Sequence, residues 1–165
     1  MMSKNYDPRP AATRLAAVQA VYELDMMKAP VDDVLASFAA ERWKAADDEV
    51  AEELARPKPE LLKNLVQGTM TRLPDIDAAL QPAMLKNRAV EGMESVMQAI
   101  LRTATYELMD RPNVPARTLI SAYTGLADAF FDENDGQQVK LIAGILNTVA
   151  RNLRADEFTP SSETA

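Results

Sequence analysis

The chain has 165 residues, 47% of them hydrophobic, enough for one domain with a real core. It has no cysteine and no histidine, which excludes disulfides, thiolate chemistry and histidine metal ligation and removes the commonest acid/base group at neutral pH. A net charge of −7 argues against general nucleic-acid affinity, so any such contact needs a local grouping of the 18 Lys and Arg residues. No apolar run is long enough to span a bilayer and no signal-peptide pattern occurs, so a cytoplasmic protein with no membrane contact is expected.

Residues 1–9 are polar, with Lys4 and Arg9, and read as a flexible arm. Pro10 suits the first turn of a helix over Ala11–Lys28, with Leu15, Val18, Val21, Tyr22 and Met26 facing inward and Ala29-Pro30 as the stop. A second helix runs from Val31 to about Lys44, with Val34, Leu35, Phe38 and Trp43 inside and Asp32 and Asp33 complementing its dipole. The acidic run Asp47, Asp48, Glu49, Glu52, Glu53 and then Arg56-Pro57-Lys58-Pro59 read as a solvated linker, with acidic docking as the alternative. Leu61, Leu62, Leu65, Val66, Met70 and Leu73 form the stripe of a third helix. Pro74 restarts a shorter one through Ile76, Leu80 and Met84, and Lys86-Asn87-Arg88 makes a basic loop.

The next stretch organises the chain. Met93, Val96, Met97, Ile100, Leu101, Ala104 and Leu108 recur at spacings of three and four, one broad apolar stripe on a helix of about five turns. Asp110-Arg111-Pro112 stops it, because a residue before proline leaves the helical region. Asn113 is a candidate N-cap and Pro115 a first-turn residue for a helix reaching Phe131. Asp132–Gly136 is an exposed turn, the last helix covers Gln137–Leu153, and residues 155–165 are a disordered tail. The expected fold is all-α: about seven helices over residues 10–154, in two small bundles that share the central helix.

No active site assembles from these residues. In Asp132-Glu133-Asn134-Asp135-Gly136 the glycine is one position early for a calcium loop, and the twelfth position is Ala143 rather than Glu. Ser95 and Ser121 lack a histidine partner, and no phosphate-binding glycine loop occurs. No cofactor and no metal are expected, and the protein reads as one that binds rather than catalyses. The candidate surface is the first helix, where Arg9, Arg14, Gln19 and Tyr22 offer phosphate contact, base-edge hydrogen bonding and base stacking. The blander alternative makes Tyr22 a half-buried core residue and Gln19 a solvated one.

Arg14-Leu-Ala-Ala-Val-Gln-Ala-Val-Tyr22 resembles the first-helix signature of the NusB family of bacterial transcription antitermination factors. Ile100-Leu-Arg-Thr-Ala-Thr-Tyr-Glu-Leu108 with Arg111-Pro-Asn-Val-Pro115 resembles a second block of that family, and Leu65-Val-Gln-Gly68 and Ile76-Asp77 resemble positions between the two. The resemblance implies an all-α protein of two helical subdomains that binds boxA-type RNA of ribosomal operons together with NusE, a small-subunit ribosomal protein, and so acts indirectly on the RNA polymerase elongation complex. It places RNA contacts at Arg9, Arg14, Gln19 and Tyr22, with Arg102 as a further candidate.

The chain departs from the pattern at several points. Ala11-Ala12-Thr13 stand where the family often carries arginines. Ser121 and Ala122 replace a usual Asn-Glu, and Ala143 replaces an asparagine. The alternative is therefore a diverged interaction module that has lost RNA recognition and docks another protein, or a second copy as a homodimer, through the helices from Pro115 to Leu153.

Overall fold

The computed structural model describes residues 8–37, 57–84, 89–131 and 136–158. Eight α-helices lie among them: α1 Arg9–Met27, α2 Val31–Ser37, α3 Pro59–Thr71, α4 Leu73–Leu80, α5 Ser95–Asp110, α6 Ala116–Phe130, α7 Gly136–Leu153 and α8 Ala155–Phe158. Short 3-10 turns cover Gln81–Ala83 and Val90–Gly92, and the described residues hold no strand. The all-α expectation therefore holds. Expectations for Phe38 to Lys44, the acidic run Asp47–Glu53, the Lys86–Arg88 loop and the Asp132–Asp135 turn concern positions outside the described residues.

The central helix is α5. Every residue from Met97 to Leu108 is buried. It packs against α1, α3, α4, α6 and α7, and is the member shared by the contacting pairs α1/α3 and α6/α7. Met93, read as the start of its stripe, lies just before the helix and is half-buried.

The orientation of α1 corrects one expectation. Ala16, Ala17, Val18, Ala20, Val21 and Leu24 are buried, while Leu15 and Met26, read as inward-facing, are 37% and 56% exposed. Small alanines let α1 approach α3 and α5 closely, so they take the contact face. Leu15, Gln19, Tyr22 and Met26, at spacings of four, three and four, lie on a second stripe. A helix with apolar residues on both faces carries little amphipathic signal, so periodicity could not orient it. The helix ends at Lys28, whose N–H still donates to the Leu24 carbonyl at 3.0 Å and whose left-handed φ of 53° then turns the chain out of the helix.

The chain ends also differ from expectation. Residue 9 was read as part of the loose arm, yet it opens α1, with Pro10 in the first turn. Residues 155–158 were read as disordered, yet they form α8. The physical reason is Arg154, which is buried and ties the corner between α5 and α6. Its Nε donates to the Leu108 carbonyl at 3.0 Å, and one terminal nitrogen donates to the carbonyls of Glu107 and Arg111 at 3.1 and 2.8 Å. The other terminal nitrogen donates to the Val114 carbonyl and to Glu157.

Asn113, read as the N-cap of α6, is exposed and does not cap it. Pro115 occupies that position without a side-chain bond. The Ala116 N–H instead donates to Glu157 Oε1 at 2.8 Å, so a carboxylate from α8 caps α6. That bond, more than the neighbouring Arg154, holds the Glu157 carboxyl below its ordinary pKa.

Candidate nucleic-acid interface

Glu107 is the polar centre of the core. It is fully buried, yet both carboxylate oxygens are occupied. Arg14 Nε donates to Oε2 at 2.7 Å and Arg14 Nη2 to Oε1 at 3.1 Å. Arg111, one turn along α5, donates to Oε1 at 2.9 Å, and the Tyr123 hydroxyl donates to Oε2. The Arg14 guanidinium also lies 5.9 Å from the centroid of the Tyr123 ring. Burial on its own would lower the Arg14 pKa, but the hydrogen bond and charge of Glu107 outweigh it and raise the value. Arg14 is 7% exposed, so its forked donors serve α5 rather than the surface.

Burial, and then the charge of Glu107, push the Tyr123 phenol well above its ordinary 10.0. The folded chain thus holds this proton more tightly than the unfolded one. The resulting stability is fully present below pH 10 and is lost as pH rises beyond it. Chemical denaturation between about pH 9 and 11 should show falling stability in the wild type and a flatter profile in Tyr123→Phe. In ultraviolet titration, Tyr123 should ionise only as the chain unfolds. Equal slopes for the two proteins would refute this.

Arg102 is also 7% exposed. Its Nε and Nη2 meet the two oxygens of Asp77 at 2.9 and 2.8 Å, and Nη1 donates to Gln98 at 3.2 Å and lies 3.9 Å from Asp25. The side chain ties α5 to α4 and α1. The structure therefore does not join Arg9, Arg14 and Arg102 into a basic patch, since Arg14 and Arg102 sit inside acidic partnerships.

The other three candidates share the outer side of α1. Arg9 is exposed at its start, and Gln19 and Tyr22 are half-buried. Gln19 and Tyr22 line a groove of about 520 Å³ with Val18, Glu23, Val96 and Phe130. Phe130 is 37% exposed there. Sequence reasoning missed Glu23, Val96 and Phe130 as members of this site. Glu23 adjoins Tyr22 in the chain, but α5 and α6 enter only through the fold. Glu107 was missed as well, although an acid beside an apolar stripe with arginine four residues on was a usable signal.

The helices after Pro115 form a second concavity. Ser121 and Ala143 line a groove of about 750 Å³ between α6 and α7, with Arg117 and Arg151 towards one end and Asp128 towards the other. The Arg151 guanidinium lies 5.0 Å from the centroid of the Phe158 ring. Ala122, next to Ser121 in the sequence, is half-buried. Among the described residues no group of three acidic side chains is placed to hold a metal ion, and no helix is long and apolar enough to cross a membrane.

Comparison with known proteins gives a consistent result. A family-wide sequence profile described as the NusB family matches residues 11–151. A transcription antitermination protein NusB from Bradyrhizobium sp. is 33% identical over 152 residues, covering 92% of this chain and 87% of the relative. One from Novosphingobium aromaticivorans is 36% identical over 144 residues, covering 87% and 94%. Among solved structures, T. maritima NusB superposes with a TM-score of 0.72 at 23% identity, over 92% of this chain and 97% of that one. A crystal structure of antitermination factors NusB and NusE in complex with dsRNA contains a chain that superposes with a TM-score of 0.67 at 18% identity, over 87% and 97%.

Proposed function

Because the chain belongs to the NusB family, we propose that it is an RNA-binding transcription antitermination factor that acts with NusE on boxA-type RNA in the cytoplasm. The observation that carries this reading is the family match, which spans α1 to within two residues of the end of α7. The relatives are named for antitermination, and one structural neighbour holds NusE and RNA. The protein works by binding, not by catalysis, and reaches RNA polymerase through the RNA and NusE.

The residues divide into two roles. Arg14 and Arg102 position the scaffold, because their donors are committed to Glu107 and Asp77. Direct RNA contact falls to Arg9, Gln19 and Tyr22, with Arg9 at a phosphate and the other two at bases. So few cations on an acidic chain imply weak binding alone, a shallow salt dependence and strengthening by NusE.

Fluorescence anisotropy with labelled boxA-type RNA tests this. Tyr22→Ala is expected to weaken binding roughly tenfold, the scale of one lost stacking contact. Arg9→Ala is expected to weaken it a few-fold and reduce the salt slope by about 0.7, as for one single-strand phosphate. Absence of RNA binding by the wild type with or without NusE would overturn the reading. The diverged interaction module is the second reading, favoured by the burial of Arg14 and Arg102 and by the open α6/α7 groove. A wild-type chain that captures NusE but no RNA would establish it.

A further inference from the structure

We propose that the groove between α6 and α7 docks a third partner, an amphipathic helix of about three turns from another protein, acidic in its first turn and basic in its last. The groove lies on the face of α6 turned away from α1, since Ser121 is roughly half a turn around the helix from Phe130. It is therefore separate from the α1 surface, and its occupant does not depend on the RNA reading. The end of α7 lies beside the start of α6, where Arg154 meets the Val114 carbonyl and Glu157 caps Ala116, so the two helices run in opposite directions. Arg117 and Asp128, at the two ends of the α6 wall, are separated by roughly 16 Å of helix. The α7 wall is Val139, Ala143, Asn147 and Arg151, one residue in every four. Two such walls leave a channel that takes the side-chain ridge of a third helix.

Charge selects the occupant. Among the described residues Arg117 meets no carboxylate, and the contact of Arg151 is the Phe158 ring rather than an acid. The arginines that hold the fold, Arg14, Arg102 and Arg154, each face one. On a chain of net charge −7, two cations left at one end of a groove suit an acid from outside. Asp128, exposed at the other end, likewise meets no cation among the described residues. A helix with Asp or Glu in its first turn and Lys or Arg in its last satisfies both ends, and the same charges suit its own dipole. It would run parallel to α6. Between the charged ends, half-buried Ile120 and Val139 offer apolar contact. Gly125 marks the closest approach. A Cβ there would meet nothing within 4 Å, so packing inside the chain does not call for glycine, which weakens a helix interior relative to alanine. Gly68 shows the use of bare helix backbone in this fold, since the Tyr106 ring lies against it.

The experiment titrates a labelled helix-promoting peptide of about three turns into the full chain. The peptide carries paired glutamates in its first turn, leucines three and four apart, and paired lysines in its last. Amide resonances of Ser121, Gly125, Ala143 and Asn147 are expected to shift, and those of Gln19 and Tyr22 to stay in place. A peptide with glutamates and lysines exchanged should bind roughly tenfold more weakly, and Arg117→Glu should narrow or reverse that preference. Gly125→Leu should keep or raise the Tm and lose the peptide. The proposal is overturned if the first peptide does not bind, if the exchanged peptide binds equally well, or if Gly125→Leu binds as the wild type does. It is also overturned if the groove resonances shift with the concentration of the chain alone, which would seat a second copy there. Binding that appears only after residues 159–165 are removed would assign the groove to that segment instead. Competition between the peptide and NusE with RNA would assign it to their assembly and rule out a third partner.

Discussion

Glu107→Ala is expected to lower the free energy of unfolding by about 3–5 kcal/mol, as for a buried ion pair deprived of one partner. Glu107 is fully buried and accepts from Arg14, Arg111 and Tyr123. Its removal leaves the Arg14 guanidinium desolvated with no carboxylate to face. Arg111 suffers less, because its side chain is 30% exposed and can turn to water. Arg14→Ala is expected to cost a similar amount, since it leaves the buried carboxylate with one cation fewer.

The double variant Arg14→Met with Glu107→Leu should be far less damaged than the sum of the single changes, because no unpaired charge remains. Urea denaturation of the four proteins measures this coupling. A Glu107→Ala protein within about 1 kcal/mol of the wild type would refute the assignment. The result also governs how RNA data are read. RNA affinity lost in Arg14→Ala but retained in the compensated double variant would mark Arg14 as a positioning residue for α1.

Gly68→Ala is expected to destabilise the chain by about 2–3 kcal/mol, although alanine is favoured over glycine inside a helix by about 1 kcal/mol. Gly68 lies within α3, and a Cβ built there would collide with Cζ, Cε1 and Oη of Tyr106 on α5. The ring is buried against the bare backbone, and its hydroxyl donates to Asn64 Oδ1 at 3.2 Å. Relief requires the ring to leave a packed site and surrender that bond. Tyr106→Leu should therefore cost less in the Gly68→Ala background than in the wild type, because it removes the clash it exposes. Thermal and urea denaturation of the single and double variants would show this. A neutral or stabilising Gly68→Ala would contradict the packing. The contact also gives a reason why Leu65-Val-Gln-Gly68 and Tyr106-Glu-Leu108, far apart in the chain, occur together.

Several features were legible before the fold. The stripe from Val96 to Leu108, the stops at Ala29-Pro30 and Arg111-Pro112 and the restart at Pro74 all follow from local steric rules and helical periodicity. These rules act over one or two turns, so the all-α class, the central helix and most helix limits are readable from local patterns alone. The candidate surface was legible only in part. Gln19, Tyr22 and Glu23 lie within two turns of one helix, but Val96 and Phe130 join them at an open groove from positions that no spacing rule connects.

The remaining features depend on partners that are remote in sequence. An arginine near a helix start reads as a solvated cation, and only Glu107, 93 residues on, withdraws Arg14 into the core. Asp77, 25 residues before Arg102, does the same to that side chain. Glu157 caps a helix that begins 41 residues earlier, so a segment whose composition reads as disordered becomes ordered. The face of α1 that meets the core was also settled by packing, since alanines allow close approach where Leu15 and Met26 would hold the helices apart.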